Sequence, residues 1–199
     1  AGEYAMGLLD DYGMVGLYFW EAGARCFYTT SKPIRSVEDL KGMKIRVQQT
    51  EVAISMVRAL GAEATPMDYA EVFQGLQTGI VDGAENDFVS YYTSGHYEVA
   101  KYYSLDQHMA PPAVLLMSKA SWDKMTEAQQ EAVRKAAYEA AVWQRQAMQD
   151  YQLESRAACE AAGCEIIEVD VPSFQAAVAS VYDEYPQYKT IVDMINAVE

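Results

Sequence analysis

Several residue types that mark common protein classes are scarce in this 199-residue chain. It has two histidines and three cysteines, with no Cys-x-x-Cys pair, so the sequence offers little basis for a protein metal site. An odd number of cysteines also excludes a disulfide framework that pairs all of them. Cys159 and Cys164 lie near a predicted helix end. We expect them to be two buried thiols, with closure of a small loop in an oxidising compartment as the alternative.

Basic charge and long apolar runs are scarce as well. Fifteen basic residues stand against 29 acidic ones, for a net charge of −14. This balance argues against nucleic acid and against an anionic membrane surface as partners. No apolar run approaches the ~20 residues of a membrane-spanning helix, so we expect a chain that is not embedded in a membrane. A hydrophobic content of 51% with 22% charged residues is typical of a globular protein and excludes a disordered or fibrous one.

Catalytic motifs are absent too. The sequence has no Gly-x-Ser-x-Gly, no His-Glu-x-x-His, no P-loop, and no Gly-x-Gly-x-x-Gly between a strand and a helix. Neither His96 nor His108 lies in a pattern that indicates a nucleophile and its base. Glu85 and Asp87 flank Asn86 in a way more typical of turn and cap residues than of an acid pair. The sequence therefore gives little support for an enzyme, and we expect neither a cofactor nor a metal.

What the chain does contain is an alternation of short apolar runs with helical patterns. Helices of about ten residues between strands predict an α/β fold with a largely parallel sheet. Ser36 and Asp39 have the spacing of a capping box, and so do Thr126 and Gln129. Strands are predicted over residues 15–20, 26–30, 44–47, 62–66, 99–103, 114–117 and 165–169, with another beginning at Ile80 and turning at Asp82-Gly83. Helices are predicted over residues 51–60, 127–162, 172–182 and 188–198, and after a cap at Asp68.

The longest predicted element is the helix over residues 127–162, which contains no glycine or proline and many strong helix formers. At ~1.5 Å per residue it would extend about 54 Å, longer than a globular domain of this size is wide. Such a helix kinks, divides into two, or bridges two lobes. The residues predicted to form its packed face are Ala136, Ala140, Trp143, Ala147 and Tyr151.

Arginines provide the most informative charge pattern. Seven of the 15 basic residues lie between Arg25 and Arg58, and none follows until Lys101. Arg46 falls inside a predicted buried strand, and Arg25 adjoins an aromatic run. A buried guanidinium needs an anion, because burying it unpaired costs several kcal/mol. Either each arginine pairs with an acid of the protein, or the two converge on a ligand carboxylate, which a guanidinium binds through two hydrogen bonds.

Several motifs occur in a characteristic order. The series begins with residues 23–29 (GARCFYT). It continues with residues 40–47 (LKGMKIRV), 65–67 (TPM), 70–79 (AEVFQGLQTG), 81–86 (VDGAEN), 115–119 (LLMSK) and 122–127 (WDKMTE). From about residue 10 to 195, this series resembles the extracytoplasmic solute-binding proteins of TRAP transporters, of the DctP type.

The resemblance implies two α/β lobes that close around an organic anion, with one long helix spanning both. Family members are longer, so we expect this chain to lack the N-terminal part of the family's chain and its N-terminal lobe to be incomplete. Residues 1–22 and 112–150 would belong to that partial lobe, and residues 23–111 and 151–199 to the C-terminal-type lobe. We expect an unpaired edge on the strand over residues 15–19 or on the strand over residues 114–117, unless another chain covers it.

The resemblance also implies the binding residues. Arg46 matches the arginine that pairs with the ligand carboxylate, Arg25 matches a second arginine, and Asn86 matches a side-chain amide that completes the site. Glu85 would orient an arginine. Further lining candidates, each with ordinary aromatic packing as an equal alternative, are Tyr28, Tyr69 and Phe88.

The function that follows from the resemblance is that of a bacterial binding protein outside the cytoplasmic membrane. It would capture a small organic acid, a C4-dicarboxylate or a sugar acid, and deliver it to the TRAP membrane permease. The alternative is a ligand-sensing domain or an enzyme built on the same fold.

Overall fold

The computed structural model describes residues 1–198. In this range the strands are β1 (Met14–Trp20), β2 (Arg25–Thr29), β3 (Lys44–Val47), β4 (Glu63–Pro66), β5 (Gly83–Asn86), β6 (Tyr102–Met109), β7 (Ala113–Ser118) and β8 (Glu165–Ile167). The α-helices are α1 (Gly2–Gly7), α2 (Glu51–Ala59), α3 (Val72–Thr78), α4 (Phe88–Thr93), α5 (His96–Val99), α6 (Lys119–Trp122), α7 (Glu127–Ala161), α8 (Val171–Ala177), α9 (Val181–Glu184) and α10 (Lys189–Asn196). No helix in this range is both long and apolar enough to cross a membrane.

The chain divides into two compact units. Unit 1 comprises residues 1–22, residues 111–150 and the chain from Tyr185 onward. Unit 2 comprises residues 23–110 and 151–184. The C-terminal segment thus groups with unit 1, whereas the sequence assigned residues 151–199 together to one lobe. The assignment of lobes to these segments stays a prediction.

Unit 2 is built on a six-stranded sheet with the order β4-β3-β5-β2-β6-β8. Strand β2 runs antiparallel to both of its neighbours, while the pairs β3–β4, β3–β5 and β6–β8 are parallel. The prediction of a largely parallel sheet is therefore wrong at its centre. Helical crossovers impose parallel pairing; α2 and α3 provide them from β3 to β5, whereas no helix leads into β2.

Two apolar clusters cover the two faces of this sheet. Because successive side chains of a strand point to opposite faces, Cys26 and Tyr28 join one cluster and Phe27 the other. The first cluster includes residues of α3, α4 and α5 and the end of α7. The second includes residues of α2 and Phe174 of α8. The sheet is thus buried on both sides, as the apolar strands of the sequence predict.

Strand β5 begins later than predicted. Gly79 ends α3 in the left-handed conformation with φ 73°, and the amides of Ile80 and Val81 both bond back to Gly75 O. These two residues therefore complete the helix end instead of starting a strand, and the side chain of Ile80 is exposed. The predicted turn at Asp82-Gly83 is also wrong, because Gly83 is the first residue of β5.

The prediction of a strand over residues 99–103 is shifted in the same way. Val99 ends the short helix α5, and β6 runs from Tyr102 to Met109. Three polar residues, Asp106, Gln107 and His108, interrupt the apolar pattern in its second half, so this part was not predicted as a strand.

Unit 1 contains a two-stranded antiparallel sheet of β1 and β7. Its pairing is interrupted by an irregularity between Gly16 and Tyr18. Within residues 1–198 each of these strands has the other as its only partner, so each keeps one unpaired edge as predicted.

Helix α7 is continuous over 35 residues, which confirms the long helix. Its capping box is confirmed by the bond from Thr126 N to Gln129 Oε1 at 2.9 Å and from Gln129 N to Thr126 Oγ1 at 3.4 Å. The predicted packed face is wrong: Trp143 is 72% exposed, whereas Ala137 and Ala141 are buried. Alanine occurs on every face of this helix, so apolar periodicity could not select the buried one.

Candidate functional site

The antiparallel placement of β2 brings two arginines and an amide together in unit 2. Cys26 of β2 pairs with Asn86 of β5, so the start of β2 lies at the carboxyl end of β5. Arg25 is the first residue of β2 and Arg46 lies on β3, the other neighbour of β5. All three polar side chains are buried, with exposed fractions of 9% for Arg25, 4% for Arg46 and 5% for Asn86.

The Arg25 guanidinium is held by groups of the protein itself. Its Nε donates to Glu85 Oε2 at 2.5 Å, and its Nη2 donates to Glu85 Oε1 at 2.9 Å and to the Glu85 carbonyl at 3.0 Å. Its Nη1 donates to Asn86 Oδ1 at 2.8 Å. Burial lowers the pKa of Arg25, but the hydrogen bond and charge of Glu85 outweigh burial and raise it. For Arg25, pairing with an acid of the protein is what the structure shows.

Glu85 is in turn part of a buried row of charged side chains. The sequence analysis did not identify its other members, His108 and Asp106, as part of the site. His108 Nε2 lies 3.5 Å from Glu85 Oε2, and His108 Nδ1 lies 2.5 Å from Asp106 Oδ2. The other oxygen of Asp106 accepts the amide of Phe27 at 2.9 Å. Arg25, Glu85, His108 and Asp106 thus alternate in sign, which compensates for their removal from water.

The charge state of this row follows from its contacts. Burial lowers the pKa of the His108 imidazole, but Asp106, followed by Glu85, raises it to about 9. Burial raises the pKa of the Glu85 carboxyl, but His108 and Arg25 lower it overall. At neutral pH, His108 is therefore an imidazolium and Glu85 a carboxylate, and the row fixes the orientation of Arg25.

A local backbone feature positions His108. Gln107 has φ 47°, which a residue with a side chain adopts rarely, and it lies where the pairing of β2 with β6 is irregular. The amide of His108 bonds to Asp106 Oδ2 at 3.2 Å, as in an Asx turn. The spacing Asp-x-His was the one signal in the sequence that could have indicated this arrangement.

Arg46 differs from Arg25 because no carboxylate among the described residues pairs with it. Its Nε and Nη2 both donate to the Met67 carbonyl, at 3.0 and 2.7 Å. No carboxylate of residues 1–198 lies within 4.0 Å of it. Its guanidinium carbon lies 5.8 Å from the centre of the Tyr69 ring. Burial lowers the pKa of Arg46, and Glu85 and Tyr28 oppose this only from a distance.

Asn86 also has a donor to spare. Its side-chain oxygen accepts from Arg25 Nη1 and, at 3.0 Å, from the Asp87 amide. This fixes the carboxamide, and its nitrogen donates to none of the residues that the structure describes. Arg46 and Asn86 therefore both offer hydrogen-bond donors, which suits a ligand rich in acceptor oxygens.

The aromatic candidates are placed differently from one another. Tyr28 is 1% exposed, and its hydroxyl lies 2.7 Å from His96 Nδ1. Burial and the charge of Arg46 lower the pKa of His96 to about 4, so the ring is neutral and accepts from Tyr28. Tyr69 is 44% exposed. Phe88 stacks on Tyr103 with ring centres 4.0 Å apart.

These placements decide between the two alternatives only in part. The side chains of Tyr28 and Phe88 belong to a buried cluster, which is the aromatic packing given as the alternative. Tyr69 faces both Arg46 and His96, whose ring centre is 5.6 Å from its own. Contact with a ligand stays a prediction for all three.

Comparison with known proteins agrees with the resemblance read from the sequence. A model of the bacterial extracellular solute-binding protein family 7, DctP, matches residues 2–188. A solute-binding protein of Chromohalobacter salexigens is 41% identical over 98% of this chain and 60% of its own length. The chain thus spans well under two thirds of that relative.

Solved structures show the same fold. A TRAP periplasmic solute-binding protein of Xanthobacter autotrophicus Py2 with bound β-D-galacturonate superposes with a TM-score of 0.94 at 46% identity, over 100% of this chain and 67% of its own. One of Chromohalobacter salexigens with bound D-glucuronate gives a TM-score of 0.96 at 38% identity, again over 100% and 67%. The α/β fold with its long helix is thereby confirmed, over about two thirds of the length of these structures. With a family model matching nearly its whole length, the chain belongs to the DctP family of bacterial extracellular solute-binding proteins.

Proposed function

We propose that this chain binds the carboxylate of a sugar acid of the uronate type on Arg46. The observation that carries the proposal is that Arg46 is buried and has no carboxylate of residues 1–198 within 4.0 Å. An unpaired buried guanidinium costs several kcal/mol, and an anionic ligand removes that cost when it binds.

The hydrogen bonds that Arg46 already makes indicate which edge of its guanidinium would bind the ligand. The Met67 carbonyl takes Nε and one N–H of Nη2, and the outer edge formed by Nη1 and Nη2 has no other hydrogen bond to the residues that the structure describes. That edge carries two parallel N–H groups, which match the two oxygens of a carboxylate. Arg25 has a different role. Glu85 accepts from most of its donors, and Nη1 donates to Asn86 Oδ1, which orients the Asn86 side chain.

The choice of a sugar acid over a C4-dicarboxylate is supported by the solved relatives. The proteins of X. autotrophicus and C. salexigens described above hold galacturonate and glucuronate, respectively. Both ligands combine one carboxylate with several hydroxyl groups. The spare donor of Asn86 and the exposed Tyr69 are suited to hydroxyl oxygens.

A ligand panel tests this proposal. Calorimetry on the whole gene product should show binding of D-galacturonate or D-glucuronate, weaker binding of succinate, and none of the neutral sugar D-galactose. Tight binding of galactose would refute recognition of a carboxylate. Binding of succinate in preference to both uronates would place the chain among dicarboxylate-binding members.

We further propose that the protein works outside the cytoplasmic membrane without catalytic turnover and passes its ligand to a TRAP permease. Its relatives are periplasmic solute-binding proteins of such transporters, which supports the location and the role in transport. Deleting the gene should abolish uptake of the labelled uronate, and recovered ligand should be chemically unchanged. Conversion of the bound acid to a product would instead identify an enzyme.

A further inference from the structure

The C-terminal end of α7 is a Schellman motif with a cysteine at each of its two facing positions. Gly163 is left-handed with φ 84°, and its amide bonds to Glu160 O at 3.0 Å. The Cys164 amide bonds to Cys159 O, also at 3.0 Å. This motif sets the two outer residues side by side, where an apolar contact is usual. Here those residues are Cys159 and Cys164.

The two thiols are buried together in unit 2. Cys159 is 0% and Cys164 8% exposed, and both belong to the same apolar cluster. Cys164 Sγ lies 3.3 Å from the Tyr91 hydroxyl and 3.5 Å from the Tyr97 carbonyl. The third cysteine, Cys26, lies on β2 in the same cluster but outside this motif.

The thiols also interact directly with each other. Their mutual hydrogen bond is the largest influence on both: it raises the pKa of Cys159 and lowers that of Cys164 to about 6. The Tyr91 hydroxyl also lies against Cys164 Sγ, while its one proton is donated to the Ala100 carbonyl. The two sulfurs are therefore close enough to interact directly, as a bond between them requires.

We propose that Cys159 and Cys164 are joined by a disulfide bond when the protein is exported from the cytoplasm. The inference rests on the extracytoplasmic location proposed above, because disulfides persist in oxidising compartments. The backbone bond between the two residues already holds their Cα atoms close, as a disulfide requires. Oxidation replaces the hydrogen bond between the two thiols by a covalent bond and removes the weak S–H bond to the Tyr97 carbonyl.

The bond forms by exchange with an external disulfide, such as that of a thiol oxidoreductase. One of the two cysteines, as its thiolate, attacks one sulfur of that disulfide and expels the other as a thiolate, which takes up the proton that the cysteine lost. The second cysteine then loses its proton and attacks the sulfur of the first, expelling the second thiolate, which is protonated in turn. Two electrons pass from the cysteines to the oxidant, which ends as two thiols. The exchange takes place during folding, before the tyrosines cover the sulfurs.

The disulfide would fasten the last turn of α7 to β8. Strand β8 is the edge strand next to β6 and starts at Glu165, directly after Cys164. Closing so short a loop gives a modest gain, and we expect the melting temperature to rise by about 4–8 °C on oxidation.

The thiol count of the whole gene product tests the proposal. Protein exported to the periplasm of a bacterial host should show one reactive thiol of Cys26, Cys159 and Cys164 after denaturation, and protein made in a reducing cytoplasm should show three. A glutamate-specific protease cleaves after Glu160, between the two cysteines. Mass spectrometry should therefore find their two peptides joined before reduction and separate after it.

Variants and ligand binding complete the test. Cys26→Ala should keep the joined peptides, and Cys159→Ala should lose them. Three free thiols in the exported protein, or a bond that includes Cys26, would overturn the proposal. The thiol count requires no ligand, so its failure is distinct from a failure to bind uronate, which calorimetry on the same preparation reports.

Discussion

Arg25 and Arg46 are both buried in unit 2, yet the protein satisfies them differently. Arg25 has the Glu85 carboxylate on two of its nitrogens, whereas among the described residues Arg46 donates hydrogen bonds only to the Met67 carbonyl. A charge that the fold has already paired is costly to redirect, while an unpaired one attracts an anion. The same residue type therefore supports two roles, one that orients the site and one that binds.

Replacing Arg46 separates these roles. Arg46→Ala should weaken uronate binding by about 2–5 kcal/mol, because the ligand carboxylate loses its charged partner. Arg46→Lys should also weaken binding, since an ammonium keeps the charge but not the two parallel donors. Calorimetry measures both.

The melting temperature of the Arg46 variant distinguishes a role in binding from a role in stability. Because no carboxylate of residues 1–198 pairs with Arg46, Arg46→Ala should leave the melting temperature of this chain unchanged or raise it. Arg58, an exposed arginine of α2, is the matched control, and Arg58→Ala should bind as wild type does. Binding within threefold of wild type for Arg46→Ala, together with a lowered melting temperature, would mean that Arg46 has a structural role.

His108 makes stability depend on pH. Its pKa in the folded protein is raised to about 9 from 6.5, so its contribution is fully present below pH 6.5 and is lost as pH rises through 9. The shift corresponds to about 3 kcal/mol. The free energy of unfolding of wild type minus that of His108→Gln should therefore decline between pH 6.5 and 9. A difference that stays flat over this range would show that His108 is neutral in the folded protein.

The sequence indicated some residues of this site and missed others for a physical reason. Arg25, Arg46, Glu85 and Asn86 lie in short motifs of high specificity, so they could be named. His108 enters through the pairing of β2 with an irregular β6, which brings together residues far apart in the chain. Local sequence does not specify that register, and the polar residues in the second half of β6 gave no strand pattern.

At the scale of helices and strands, the predicted and observed boundaries differ mainly where a helix ends. Ser36 and Asp39, like Thr126 and Gln129, form the capping boxes that their spacing predicts, because a capping box is a local interaction. Ile80 and Val81 were assigned to a strand on their apolar character. Their amides instead close the end of α3, a bond pattern that depends on the left-handed Gly79.

The Schellman motif at the end of α7 allows a direct test of such an ending. Gly163 has φ 84°, and a Cβ added there would meet nothing within 4 Å. Gly163→Ala should therefore lower the free energy of unfolding by about 1–2 kcal/mol through backbone strain alone. Urea denaturation of the reduced protein measures it.

Gly7 is the control for this substitution. It is helical, lies at the end of α1, and also has open space around its Cα. Gly7→Ala should be neutral or slightly stabilising, because alanine favours a helix. Equal effects of the two substitutions would argue against the left-handed ending of α7.

Over the whole molecule, the two units differ in how much apolar surface they bury. Unit 2 has a six-stranded sheet with a buried cluster on each face. Within residues 1–198, the buried apolar residues of unit 1 are Val15, Trp122, Ala137 and Ala141. Burial of apolar side chains is the main favourable contribution to folding, so stability should be concentrated in unit 2.

Hydrogen exchange should reveal this difference in the isolated 199-residue chain. A two-stranded sheet is marginally stable alone, and β1 and β7 pair only with each other among residues 1–198. Their amides should exchange at least ten times faster than those of β2 and β5, which lie inside the larger sheet. Strand β4, at the edge of that sheet, is the internal control and should fall between the two. Protection of β1 and β7 equal to that of β2 would mean that unit 1 is as stable as unit 2. The small number of buried apolar residues in unit 1 would then be a poor guide to its stability.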